Sequence, residues 1–173
     1  MPNNNHYVFS QEVIDMVTVS VQTCLILEHA SEYEKADFID KMVRLLPLLY
    51  LKTIVLDNEP NQFDGYLQNF VTEDDYNYVA QNVRDLLGND DAYLEVFMSD
   101  MQYSDTPITT FISENLADIY QELKDMAGNF QTGNEAVMEE ALSNVLDSFR
   151  THWGQKLLNA LRALHACKVE SRD

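Results

Sequence analysis

One feature limits the folds open to this chain more than any other. Apolar residues recur every three to four positions along nearly its whole length, and strand-like alternation is almost absent. Its 173 residues hold only 5 glycines and 4 prolines, and these fall mostly where a helix should end. The expectation is an all-α, single-domain helical bundle of about six helices, antiparallel where the loops are short. Residues 1–173 form one domain, with 1–9 expected to be a disordered or loosely attached N-terminus.

Local signals place the helices. Ser10 caps a first helix running to about Ala30, with Val13, Val17, Val21 and Cys24 as its apolar stripe, widened by Ile14 and Leu25. Ser31 and Glu34 have capping-box spacing for a second. Its core side is Ile39, Met42, Val43, Leu46, Leu49 and Tyr50; Asp37–Lys41 and Asp40–Arg44 are i,i+4 pairs on its wet side. Pro47 cannot donate to the carbonyl of Val43, so a kink or break is expected there. The greasiest stretch, Leu45–Leu51, is expected to be central. A loop spans 57–65. Thr72 opens a third helix ending at Gly88, and Asp90 or Asp91 starts a short fourth reaching Met101. Thr106-Pro107 begins a fifth, with a stripe of Ile108, Ile112, Leu116, Ile119, Leu123, Met126 and Phe130. The sixth starts near Asn134. Its apolar face turns by about 90° around Gly154, which predicts a second kink.

Composition excludes several functions. Against 29 Asp and Glu stand 11 Lys and Arg, a formal net charge of −18. Such a chain repels phosphate backbones and anionic lipid, so neither nucleic acid nor membrane is expected as a partner. With 46% hydrophobic residues, including 8 Phe, 9 Tyr and 1 Trp, the acidity belongs to a folded surface and not to a disordered tail. The N-terminus lacks the positive and apolar regions of a secretion signal. No apolar run approaches the roughly 20 residues of a membrane span. Cys24 and Cys167 lie in apolar helical patterns and read as reduced thiols. A cytoplasmic location follows.

The chain carries no HExxH, CxxC, phosphate-binding glycine loop or GxSxG, so no catalytic residue and no cofactor are assigned. Glu12-x-x-Asp15 and Glu122-x-x-Asp125, the latter extended by Glu114 and Asp118, resemble the paired carboxylates that hold Mg²⁺ in all-α pyrophosphatases. Helical phase turns them away from the apolar faces, however, towards solvent, and no metal site is assigned.

Charges off that pattern are more informative. Glu28 falls in phase with the core side of helix one, and Lys35 with that of helix two. A Glu28–Lys35 contact across the tight turn explains both. An unpartnered Glu28 with a raised pKa, or fraying into solvent, are the alternatives. Residues 71–148 carry 17 acids against 2 bases, whereas 149–173 carry 5 bases against 2 acids. Arg150, Lys156 and Arg162 point in three directions, so they do not make one patch; they are expected to meet acids on neighbouring helices. Trp153, the sole tryptophan, lies on the apolar phase, next to Gly154, where it could also line a groove.

Leu45-Leu-Pro-Leu-Leu-Tyr-Leu-Lys52, Tyr103-Ser-Asp-Thr-Pro-Ile108, Leu116–Lys124, Trp153–Leu157 and Ala160–His165 resemble an uncharacterised bacterial family, domain of unknown function 5063. The resemblance covers nearly the whole chain. It implies a small helical protein and carries no activity. The leading expectation is a non-catalytic protein acting through protein–protein interaction, a monomer or weak homodimer with an unidentified protein partner. Tyr103, Asp105, Trp153, Lys156, Arg162 and His165 are its candidate partner surface. A divalent-metal phosphohydrolase and an acidic nucleic-acid-mimic decoy are the alternative readings.

Overall fold

The computed structural model of the protein describes residues 7–58, 63–95 and 106–170. Among them are six α-helices, α1 (Gln11–Glu28), α2 (Lys35–Ile54), α3 (Glu73–Leu87), α4 (Ile112–Phe130), α5 (Glu135–Ser148) and α6 (Gly154–Glu170). A two-stranded antiparallel ribbon of β1 (Ala92–Glu95) and β2 (Ile108–Phe111) separates α3 from α4, pairing Ala92 with Phe111 and Glu95 with Ile108. No described helix is long and apolar enough to cross a membrane.

Helix α4 is the axis of the bundle. It packs against α1, α3, α5 and α6, and Ile112, Leu116, Ile119 and Leu123 along it are fully buried. Helix α2 lies to one side, against α1 and α6.

Several local signals hold. Ser10 caps α1 through the Val13 N–H, and Asn134 caps α5 through that of Val137. Thr72 and Asp75 form a reciprocal capping box on α3. Gly88 closes α3 at φ 58°, a left-handed conformation in which glycine is at least cost.

Other expectations are corrected. The core face of α1 is Val13, Met16, Ser20, Thr23, Cys24 and Leu27, whereas Ile14, Val21 and Leu25 are exposed. Burial of Ser20 and Thr23 is possible because each hydroxyl donates back one turn, to the carbonyls of Met16 and Val19. Ser31 does not cap α2: it sits in a 3₁₀ turn, and Glu34 precedes the first helical residue without a side-chain bond. Helix α2 continues through Pro47, which is exposed. Only Leu46 and Leu49 of the Leu45–Leu51 stretch are fully buried; Leu48 and Leu51 face outward. Residues 7–9 are attached, since Val8 is buried and Tyr7 donates its hydroxyl to the carbonyl of Asp57.

Among the described residues the ribbon replaces the start of the expected fourth helix and the start of the fifth; 96–101 lie outside them. Asp91 is buried, accepting at 2.7 Å from both the backbone N–H and the hydroxyl of Ser113 in the first turn of α4. A carboxylate at that end complements the helix dipole. The turn before Gly154 is a single π-helical one, Phe149–Trp153, in which the Gly154 N–H donates to the Phe149 carbonyl. A Cβ on Gly154 would lie 2.5 Å from that oxygen, so the π turn requires the glycine.

Candidate cleft beside the final helix

The ribbon, the first turns of α4 and the start of α6 converge on a polar cleft. Strand β1 delivers Glu95, which is 6% exposed. Its Oε2 accepts from the Asn159 carboxamide at 2.6 Å and from the Tyr93 hydroxyl at 3.4 Å. Tyr93 in turn accepts from the Asn115 carboxamide. Burial pushes the Tyr93 phenol up to about 12, so it stays a donor at neutral pH.

Helix α4 contributes Glu114, Asn115 and Asp118, and the π turn and α6 contribute His152, Gln155 and Lys156, around a hollow of about 310 Å³. A second hollow of about 200 Å³ lies between Tyr93–Glu95 and Arg162, Ala163 and Ala166. The two share Glu95 and Asn159. The hydrogen-bonded Glu95–Asn159 pair is a wall common to both, beside α6. π-Helical turns frequently mark functional sites, because they re-aim the residues around them.

The charges of the cleft are largely matched. Lys156 forms an ion pair with Asp118, which also accepts from the Tyr76 hydroxyl at 2.7 Å. Burial holds the Tyr76 phenol above its ordinary range, with Asp118 adding to the shift. Glu114 faces Arg84 at 3.5 Å. The carboxamides of Asn115, Gln155 and Asn159 offer both donors and acceptors. Among the described residues no three His, Cys, Asp or Glu stand where they could hold a metal ion.

The residues singled out from the sequence separate into three groups. Lys156 and Arg162 line the cleft, and His165 is exposed on α6. Trp153 does not reach the surface: it is fully buried, donates from Nε1 to the Val145 carbonyl at 2.9 Å, and packs edge-on against Phe149. Tyr103 and Asp105 lie outside the described residues.

Glu28 and Lys35 do not meet each other. The Glu28 side chain, 25% exposed, accepts from Lys124 at 2.5 Å and from the Tyr120 hydroxyl at 3.0 Å. Lys35 pairs with Asp90. Helix α4 supplies the groups that reach Glu28 first, which a reading of the α1–α2 turn alone could not foresee. Next to this cluster, burial pushes the Cys24 thiol up to about 12; Cys24 and Cys167 are both unpaired.

The α4 carboxylates are not the wet face that helical phase suggested. Asp125 accepts the backbone N–H groups of Phe70 and Val71 at 2.6 and 2.9 Å, and Glu122 accepts from Ser148 at 2.8 Å. Asp15 binds Lys52 at 2.9 Å. Four helices surround α4, so its polar side also faces protein. Asp91 and Glu95 are buried and Asp118, Glu122 and Asp125 half-buried, so these five acids of 71–148 are drawn in from the outer surface. Sequence reasoning missed Glu95, Asn115 and Asn159. The ribbon that delivers Glu95 is too short to show alternation, and Asn115 on α4 and Asn159 on α6 carry no signal of their own.

Fold and cleft together define a small helical bundle with an inserted two-stranded ribbon. The chain belongs to the DUF5063 family, a domain of unknown function, whose pattern matches residues 7–170. It is similar to protein BF1032 from Bacteroides fragilis, known from a crystal structure. The two share 37% sequence identity and a TM-score of 0.84, over 93% of this chain and 94% of that one. No curated protein matches the chain.

Proposed function

We propose that this is a cytoplasmic, non-catalytic protein that works by holding a segment of another protein in the cleft between the ribbon and α6. The observation that carries the reading is the pair of neighbouring hollows lined in common by Glu95 and Asn159. An elongated cleft suits a strand of polypeptide better than a compact metabolite. Carboxamides on its walls match the alternating donors and acceptors of a peptide backbone. Lys156 and Arg162 line this cleft and would meet such a segment. The net charge of −18 steers partners with basic flanks towards it and turns nucleic acid away.

The test is site-specific photocrosslinking in the native cell. A benzophenone side chain at Gln155 and another at Ala166 sample the two hollows, and one at Gln81 on α3 is the control. One adduct common to the first two and missing from the third is the expected result. No adduct, or the same adducts at all three positions, overturns the proposal.

A further inference from the structure

The stretch between α2 and α3 crosses the end of α4 as a strap, residues 67–71, with neither helix nor strand of its own. One face of α4 holds it, because Asp125, Gly128 and Asn129 stand there at i, i+3 and i+4. Asn129, 3% exposed, accepts the Gln68 N–H at 3.1 Å and donates to the Gln68 carbonyl at 2.9 Å. That is the pair of bonds a neighbouring β-strand would make. Asp125 accepts the N–H groups of Phe70 and Val71 at 2.6 and 2.9 Å. Gly128 receives the Phe70 ring: a Cβ there would lie 2.3 Å from it, and glycine is otherwise disfavoured inside a helix.

These contacts read a backbone and one aromatic ring. The side chains of Gln68 and Asn69 are exposed and take no part in the hold. The strap also leaves its seat part empty. A hollow of about 170 Å³ remains between Asn69 and the Glu122, Asp125 and Asn144 side chains. Among the described residues both carboxylates accept only from neutral donors, Glu122 from the Ser148 hydroxyl at 2.8 Å and Asp125 from the strap. No Lys, Arg or His lines the hollow, and Lys124, between the two acids in sequence, is committed to Glu28. The strap thus sets a neutral Asn69 where the surrounding charge is complementary to a cation.

We propose that this face of α4 is a second peptide-binding site, occupied here by the chain's own 67–71 segment. Its outside ligand is an extended segment of a partner protein that carries a basic residue directly before an aromatic one. The aromatic ring takes the notch at Gly128, the basic side chain enters the hollow at Glu122, and Asp125 and Asn129 hold the backbone as they hold the strap. The seat shares no lining residue with the cleft beside α6, so its fate is independent of the crosslinking experiment.

Three capped synthetic peptides test this. One copies residues 66–72, the second carries Asn69→Lys, and the third carries Asn69→Lys with Phe70→Ala. A tethered segment competes at an effective concentration of millimolar order, so each peptide is titrated to about 5 mM. Exchange of the Phe70 and Val71 amides in the full chain, followed by NMR, reports displacement of the strap. These amides are expected to exchange faster than that of Leu123, and faster again when peptide is added. The Asn69→Lys peptide acts at a concentration at least about threefold lower than the copy, as a partly screened ion pair allows. The third peptide has no effect, and a Glu122→Gln chain loses the preference for lysine. Strap amides that open only together with Leu123, whatever peptide is present, overturn the proposal. So does a lysine peptide no better than the copy, or one that works equally well without its aromatic ring.

Discussion

Two stretches of the chain exchange the places their composition suggests. The α4 acids Asp118, Glu122 and Asp125 are drawn into the molecule, while Leu48 and Leu51 of α2, in the greasiest run of the sequence, face outward. The difference lies in the neighbours. Helix α4 has other helices on four sides, so even its polar face meets protein, and each carboxylate finds a donor. Helix α2 packs mainly on α1 and α6, and two of its leucines stay about half exposed. A helix's own pattern fixes which side is most apolar; the number of helices around it decides how much of the rest is buried.

The comparison breaks first at Leu123. It is fully buried on α4, so Leu123→Ala is expected to cost about 2–5 kcal/mol in urea unfolding. Asp125→Ala comes next, at about 1–3 kcal/mol, because it leaves the N–H groups of Phe70 and Val71 without their acceptor. Thr72→Ala removes a cap that is purely local, for about 1 kcal/mol. It also changes the acid limb. The hydrogen bonds of Thr72, the backbone one foremost, hold the Asp75 carboxyl below its ordinary 3.8. A depressed carboxyl contributes stability above its unfolded value and loses it as pH falls through the folded one. The wild type therefore loses this contribution in acid below the ordinary carboxylate range, and Thr72→Ala, which keeps the backbone N–H but lacks the hydroxyl, has less to lose there. Smallest of all is Leu51→Ala, measured dilute, within about 0.5 kcal/mol of wild type. If Leu51→Ala costs as much as Leu123→Ala, the contrast between the two helices is void.

What could be read in advance follows the range of each interaction. Ser10 and Thr72 with Asp75 act within four residues and were legible as caps, and Asn134 as a helix start; the glycine at 88 ends α3 for equally local reasons. The α4 stripe from Ile112 to Met126 was legible because its period extends over four turns. The ribbon was not. Each strand has four residues, and Glu95 pairs with Ile108, thirteen positions on, so neither strand carries its own evidence. Thr106-Pro107 has the pattern of a helix start, whereas the chain there leads into β2. The cleft shares that gap: Lys156 and Arg162 stand out in the sequence by their charge, but the Glu95 carboxylate comes from a strand that only pairing creates, and Asn115 and Asn159 carry no signal on their helices until it arrives.

The bond between Asp91 and Ser113 ties two events together. The carboxylate that receives the first turn of α4 stands at the foot of the ribbon, 22 positions earlier in the chain. Separating the strands from the bundle therefore also strips the central helix of its terminal anchor. Solvent exchange of the Ser113 amide then times the opening of the ribbon, not the fraying of α4. Wherever a segment of another protein presses into the cleft at Glu95, that clock should slow.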